Sequence, residues 1–386
     1  MSRYNIVMLP GDGVGVEVMA EAKKCLKAIE SITTLSFDVE EIPCGGKYYL
    51  EDGERDWPEG SEEKCVEADV ILLGAVGWPA EDGQGPVTMK NGHMAGYSAV
   101  LGNRSLMNLF ANVRPVKLYP GVNHRIHGKH VKVWQDNHVD MVFVRENTEG
   151  LYVAAGGTLD RGGVRSVAID NRITTKEGCD QVIRYAFELC KKRNKGAPSD
   201  GQLRVTCITK ENVMMGCKLF KSRFLEIGKE YPEIEKDTAI IDAFTQWLII
   251  KPEHYDVLVT SNMFGDIVTD LASVLQGGMG MAAGANVGHK NAMFEPIHGS
   301  APRHAGKNEI NPIAMILAVK EALEWLSDLK SDTTLHQAAE AIESSVKELL
   351  LEGKKLSYDL VGKDSSVTCS DVGDEIVNKV ITILDS

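Results

Sequence analysis

Asp266 and Asp270 stand four residues apart in SNMFGDIVTDLASVL, residues 261–275. That spacing puts both carboxylates on one face of a helix. The helix should begin just after a strand at 256–260, and α/β proteins place ligands at the carboxyl ends of strands. Two hard oxygen donors on one face suit Mg2+ or Mn2+. Acids in a first helical turn also complement the helix dipole, so spacing alone leaves both readings open.

Arg104, Arg114 and Arg145 form a second group. Arg114 lies in the apolar stretch FANVRPV, where an unpaired guanidinium would be costly. Arg145 ends the run MVFV and opens RENTEGLY. The guanidinium fork matches carboxylates, so each is either a structural ion-pair partner or an anchor for an anionic substrate. Lys210 follows the run LRVTCIT, Asp242 follows AII and Tyr152 follows RENTEGL. A lysine, a tyrosine and acids at strand ends could form a proton-transfer set. Gly11 to Gly15 read GDGVG between a strand and a helix, where helix N–H groups could meet a phosphate. The spacing is GxGxG rather than GxGxxG, and a tight structural turn also accounts for it. His124, His127, His130 and His138 lie in a basic, polar stretch without cysteine, which predicts a solvated loop rather than a zinc site.

The elements that must position these groups alternate. Strands are expected at 4–9, 70–75, 141–144, 203–209, 239–241 and 256–260, and amphipathic helices at 314–326 and 335–351. Val18, Ala22, Leu26 and Ile29 recur at helical spacing after the GDGVG turn. This is the pattern of an α/β protein with a mainly parallel sheet. Residues 80–96 are polar and glycine-rich and predict a surface loop, and residues 276–288 are too glycine-rich for a regular helix.

The 386 residues are 43% hydrophobic and 25% charged, ordinary for a soluble globular chain. The formal charge of −13 argues against a nucleic-acid surface. It leaves room for a small anionic substrate, because a local arginine cluster can sit in an acidic protein. No apolar run is long enough for a membrane span and no signal peptide is evident. Eight cysteines without a CxxC pair suggest reduced thiols in the cytoplasm.

The motifs LPGDGVGVEV, LLGAVG, LFANVRPVK, VRENTEGLY, TKENV, SNMFGDIVTDLASVLQGGMGMAAGANVG and MFEPIHGSAPRHAGKNEINPIA occur in that order. Together they resemble the β-decarboxylating dehydrogenases: the isocitrate, isopropylmalate, homoisocitrate and tartrate/D-malate dehydrogenases. The likeness spans essentially the whole chain. It implies a two-domain α/β fold of the isopropylmalate/isocitrate dehydrogenase kind, not a Rossmann fold. A large cofactor-binding domain would comprise 1–109 and 277–386. A small domain carrying the dimer interface would comprise 110–276. The family forms homodimers whose active sites use both subunits.

The resemblance also implies roles. Arg104, Arg114 and Arg145 match the arginines that clamp substrate carboxylates. Asp266 and Asp270, with Asp242 from a second copy, match the metal-binding acids. Tyr152 and the second copy's Lys210 match the catalytic proton-transfer pair, and Asn212 the asparagine that touches the cofactor. Glu295, His298, Gly299 and Asn311 fall in the family's adenosine-binding loop. Before Arg104, in GYSAVLGNR, Ser98 matches a serine of isocitrate enzymes. Val100 and Leu101 stand where isopropylmalate enzymes carry two leucines, which favours an alkylmalate such as 3-isopropylmalate. RENTEGLY is more like the isocitrate, homoisocitrate and tartrate members, and these stay as alternative substrates. Arg303 and His304 occupy the pair that is lysine and tyrosine in NADP users, and aspartate in the first place in NAD users. This implies NADP over NAD. Retention of the arginines, acids, Tyr152 and Lys210 favours an active enzyme over a non-catalytic regulatory subunit.

Overall fold

The structure is a computed structural model that describes residues 2–83, 85–153 and 155–386. The chain divides into two compact units. The first opens with β1 (Ser2–Gly11), α1 (Gly15–Ile32), β2 (Leu35–Glu41), the short helices α2 (Gly46–Asp52) and α3 (Ser61–Glu67), and β3 (Val70–Ala75). A π-helical turn at Ser98–Gly102 runs directly into α4 (Asn103–Leu106). The chain passes to the second unit as β4 (Ala111–Lys117) and returns as the hairpin β5 (His124–Ile126) and β6 (Lys129–Val131). The second unit resumes with β7 (Asp140–Glu146), the hairpin β8 (Gly156–Arg161) and β9 (Val164–Asp170), and α5 (Lys176–Arg193). It continues through β10 (Arg204–Thr209), α6 (Met215–Ile227), β11 (Glu235–Ile240), α7 (Ile241–Ile250), β12 (Val257–Thr260) and α8 (Asn262–Ser273). The first unit is completed by β13 (Ala283–Val287), β14 (Ala292–Pro296), α9 (Ile313–Lys330), α10 (Thr333–Glu352), α11 (Tyr358–Val361) and α12 (Cys369–Leu384).

In the first unit the strand order is β13-β14-β3-β1-β2, parallel except for the antiparallel pair β13/β14. β3 is VILLGA and buried throughout, the continuous apolar run of a strand covered on both faces. α1 packs along the sheet and against α12 through Val18, Ala22, Cys25, Leu26 and Ile29, all buried. The GDGVG segment is a tight turn. Gly13 has φ +58°, and a Cβ there would lie 2.1 Å from the Ser300 carbonyl oxygen. Val14 N–H donates to that same oxygen at 2.9 Å. Asp12 is buried and accepts from the N–H groups of Gly46 at 2.8 Å, Lys47 at 2.9 Å and Gly77 at 2.9 Å. Its carboxylate thus ties the turn to the start of α2.

In the second unit the order is β11-β10-β12-β7-β4, with only β4 antiparallel to its neighbour. Phe187 stacks on Phe224 and Tyr231, with ring centroids 5.4 Å and 4.8 Å apart. Phe244 meets Phe143 and Tyr255 edge-on.

Three expectations are corrected. Residues 118–136, expected in the middle domain, belong to the first unit, because the β5–β6 hairpin packs on α11 and His130 Nε2 lies 3.1 Å from the Asp359 carbonyl oxygen. The histidine stretch contains that hairpin, whose residues 125–129 are exposed as a solvated segment should be, but it is not a loop throughout. His124 is fully buried, edge-on to Trp134 at 4.9 Å. The polar segment 80–96 is not wholly a surface loop either: Val87, Met89 and Ala95 are buried against Tyr49, with Trp78 and Tyr97 beside them. All eight cysteines are free and buried, and burial pushes Cys65 up to about 11 and Cys25 to about 12. Among the described residues no helix is long and apolar enough to cross a membrane.

Candidate functional site

In the second unit, antiparallel pairing sets Arg145 of β7 opposite Asn112 of β4. Arg114 is two residues further along β4, so all three side chains share one face. β12 runs parallel to β7 and leads at once into α8, which lays its first turns over that face. Gly265 makes this approach possible, since a Cβ there would sit 2.5 Å from Arg145 Cγ. Arg145 Nη1 then donates to Asp266 Oδ1 at 2.5 Å, while its Nε and Nη2 donate to Asn262 Oδ1 at 3.1 and 2.7 Å. Asn262 is itself fixed by donating to the Glu149 carbonyl at 2.9 Å.

Arg114 donates to Asn112 Oδ1 at 2.7 Å and to Thr269 Oγ1 at 2.5 Å. Its guanidinium lies 3.6 Å from Asp266 and 3.8 Å from Asp270. The two acids therefore share one face, as their spacing predicts. Tyr152 donates its hydroxyl to Asp266 Oδ2 at 3.1 Å. Burial, reinforced by the Asp266 charge, holds the Tyr152 hydroxyl above the usual range. Burial also pushes Asp270 up, against the pull of Arg114. Both guanidinium groups are almost fully enclosed, whereas the Asp266 and Asp270 side chains are 40% and 57% exposed. The acids present free carboxylate surface backed by fixed cations.

Lys210 follows β10, and Asp242 stands in the first turn of α7, which follows β11. The parallel register pairs Thr209 with Ile240, so the residues just beyond both strand ends meet, and Lys210 Nζ pairs with the Asp242 carboxylate. Glu211 pins the connecting loop by accepting from Thr209 Oγ1 and, at 2.8 Å, from Lys221 Nζ. Asn212 in this loop is exposed. Among the described residues of one chain, no three acid, histidine or cysteine groups come close enough to hold a metal. Asp266 and Asp270 provide two hard donors, which fit a divalent cation of the Mg2+ or Mn2+ type. Asp242 is engaged with Lys210 instead of joining them.

In the first unit the π-turn carries Ser98, Val100 and Leu101. π-turns are rare and frequent at functional sites. Asp56, buried, accepts from the N–H groups of Gly96 at 2.9 Å and Ser98 at 3.0 Å, and so holds the start of the turn. Val100 and Leu101 are half-buried. Arg104 follows in α4 and is buried, pairing with Glu295 at 3.1 Å, and among the described residues its Nε has no hydrogen-bond partner. Glu295 is thus not in the loop with His298. It lies in β14 opposite Gly284, where sheet pairing buries it between Arg104 and Asn286, whose amide donates to it at 2.8 Å.

A cavity of about 520 Å³ is walled by Gly277–Gly280, His298, Gly299, Asn311 and Tyr358. His298 Nε2 is shielded from solvent and has no partner among the described residues, and burial holds the ring pKa low. A neutral ring nitrogen left unbonded and a glycine wall fit a planar, hydrogen-bonding ligand such as a nucleobase. The loop beyond is held from α1: Glu17 accepts from the N–H groups of Gly306 and, at 3.0 Å, Asn308. His304 stacks on Tyr358, ring centroids 5.9 Å apart, with its Nδ1 2.7 Å from Glu309. Arg303 is exposed and is not part of the cavity wall. Sequence reasoning did not single out Asp56, Glu17 or Asn262. Asn262 stands inside SNMFGD, whose acids drew attention first. Nothing in GERDWPEG marks Asp56.

The model for the isocitrate/isopropylmalate dehydrogenase family matches residues 5–376. The 3-isopropylmalate dehydrogenase of Bifidobacterium longum is 39% identical over 367 residues, covering 94% of this chain and 97% of that protein. The 3-isopropylmalate/3-methylmalate dehydrogenase of Methanocaldococcus jannaschii is 34% identical, covering 91% and 92%. The crystal structure of isocitrate dehydrogenase from Methylococcus capsulatus superposes with a TM-score of 0.82 at 32% identity, over 98% of this chain and 99% of that one. By this match along its length and these identities, the chain belongs to the isocitrate/isopropylmalate dehydrogenase family of decarboxylating oxidoreductases.

Proposed function

We propose that the chain oxidatively decarboxylates an alkylmalate, 3-isopropylmalate foremost, in a metal-dependent reaction linked to NADP. The observation that carries the substrate reading is the π-turn before Arg104. Val100 and Leu101 offer it no hydrogen bond, and burying a third carboxylate unpaired there would be costly. The names of the relatives support the same choice.

Arg114 and Arg145 present guanidinium nitrogens for the malate carboxylates, and Arg104 is read as the third arginine of the set. A divalent cation on Asp266 and Asp270, with Asp242 of a second copy, would lower the pKa of the 2-hydroxyl and offset the charge that develops when CO₂ leaves. A dinucleotide would accept the hydride of C2. Lys210 of a second copy takes the hydroxyl proton, with Asp242 beside it to stabilise the ammonium that forms. Tyr152, kept protonated by burial and by Asp266, returns a proton to C3 once the carboxylate has gone.

Two copies are supported by apolar surface on the second unit. Trp247 and Ile250 of α7, Ile267 of α8, and Leu159, Val164 and Ile169 of the β8–β9 hairpin are all exposed. A second copy packed on these elements would cover them.

The test is cofactor reduction followed by absorbance with 3-isopropylmalate, isocitrate, homoisocitrate, tartrate and D-malate, each with Mn2+. The expected result is the highest kcat/KM with 3-isopropylmalate. One methylene changes discrimination by about 1–3 kcal/mol, so related alkylmalates should also turn over. A higher kcat/KM with isocitrate, homoisocitrate or tartrate overturns the substrate reading.

A further inference from the structure

The β5–β6 hairpin brings one cation to the 520 Å³ cavity. Among the described residues Arg125 is the only lysine or arginine on its wall, beside Asn311, Tyr358 and Asp359. Among the described residues Arg125 has no carboxylate partner. Asp359, the one acid on the wall, is already engaged: Ser357 Oγ donates to its Oδ1 at 2.5 Å and Asn311 Nδ2 to its Oδ2 at 3.2 Å. The hairpin is anchored on both sides of Arg125. His124 is buried against Trp134 and accepts at Nδ1 from Val133 N–H at 3.2 Å, and His130 reaches the Asp359 carbonyl. Strand alternation turns Arg125 to the face opposite His124.

The other cations near this wall are less well placed. Arg303 and Arg125 are both exposed, and of the two only Arg125 lies on the wall. His304 is committed to Glu309. Lys363 Nζ lies over the Tyr358 ring at 5.9 Å, outside the lining. Burial raises the Tyr358 pKa, Asp359 and Glu309 raise it further, and Arg125 lowers it. Arg125 and Tyr358 both line the cavity, and the Arg125 charge acts on the Tyr358 hydroxyl.

We propose that Arg125 reads a 2′-phosphate on the adenosine ribose of the dinucleotide, so that NADP preference is carried by the β5–β6 hairpin rather than by Arg303. A guanidinium presents paired donors to a phosphate dianion, and Tyr358 adds a hydroxyl. The inference rests on the reading of the cavity as the adenosine site of an NADP-linked enzyme.

The test is direct binding without substrate. The probes are 2′,5′-ADP and 5′-AMP, titrated calorimetrically into the unmodified protein, Arg125→Ala, Arg125→Gln and Arg303→Ala. The unmodified protein should bind 2′,5′-ADP more tightly than 5′-AMP. Both Arg125 variants should lose about tenfold or more of that advantage, the size of a charge-assisted hydrogen bond, while 5′-AMP affinity stays within about twofold. Arg303→Ala should retain most of the advantage. If the Arg125 variants keep it and Arg303→Ala loses it, Arg125 is not the reader and the cavity assignment stands. If the unmodified protein binds both probes equally, the phosphate reading is overturned. If it binds neither, the cavity assignment beneath it fails as well.

Discussion

Arg145 Nη1 lies 2.5 Å from Asp266 Oδ1, so a guanidinium expected to hold substrate and a carboxylate expected to hold metal are paired with each other. A cation at Asp266 competes with that guanidinium, and an incoming substrate carboxylate offers Arg145 a replacement. Metal and substrate should therefore bind with positive coupling. Asp266→Asn should abolish turnover in Mg2+ and Mn2+, while costing about 1–3 kcal/mol of stability, because the enclosed Arg145 loses a charged partner but keeps an amide oxygen as acceptor. Kinetics across a metal series, together with a thermal melt, check this. Full activity of Asp266→Asn, or of the unmodified enzyme in excess chelator, would sink the assignment.

Lys210 and Tyr152 should fail at different steps. Lys210→Met should suppress single-turnover reduction of the dinucleotide by about 10²–10⁴-fold, the usual contribution of a positioned base. Tyr152→Phe should leave that reduction closer to normal and slow release of the final ketone. Rapid-mixing absorbance resolves the first step and quenched product analysis the second. Normal single-turnover reduction in Lys210→Met refutes the base role.

Asp56 holds the start of the π-turn by accepting from Ser98 N–H and from Gly96 N–H just before it. Asp56→Ala should loosen the turn, raise KM for the alkylmalate severalfold and flatten discrimination among alkyl side chains, with a smaller change in kcat. Asp56→Asn keeps an acceptor oxygen and should restore the discrimination. An Asp56→Ala enzyme with unaltered ratios across the alkylmalates shows that the turn holds without this carboxylate.

Glu211 links acidity to the loop that carries Lys210. Burial alone would raise its pKa, but bonds from Lys221 and Thr209 outweigh burial and hold it at about 2, against an ordinary 4.5. A depressed folded-state pKa gives stability that is fully present above about pH 4.5 and lost as pH falls toward 2. Glu211→Gln should cost about 1–3 kcal/mol at neutral pH, and the gap should narrow steadily below pH 4.5. Urea unfolding at a series of pH values measures it. A gap as wide at pH 3 as at pH 7 contradicts the account.

Strand β3 is the same in sequence and structure, 70–75, because a fully buried parallel strand is a plain apolar run bounded by polar residues. The shared face of Asp266 and Asp270 was equally legible, since helical periodicity fixes it. The β5–β6 hairpin was not. NHRIHGKHV is polar and mostly exposed, and what places it is the seating of His124 against Trp134 and of β5 on α11 rather than its own pattern. Glu295 was misplaced for a related reason: strand pairing with β13, a tertiary event, puts it against Arg104. The π-turn at 98–102 has no composition signature. The anchoring carboxylate of Asp56 is some forty residues away and could not be matched to it from spacing.

The first unit is assembled from chain segments separated by the whole of the second. β3 pairs with β14, and α1 rests against α12. During synthesis, strands β1 and β3 with their buried apolar side chains leave the ribosome long before these covers exist. The second unit draws nearly all its length from 137–275 and can close while the last hundred residues are still being made. Domains generally fold as units in order of emergence, so the order here is inverted: the inserted unit should become protease-resistant on stalled ribosomes first. The amino-terminal third should meanwhile stay cleavable and dependent on a chaperone until α12 arrives.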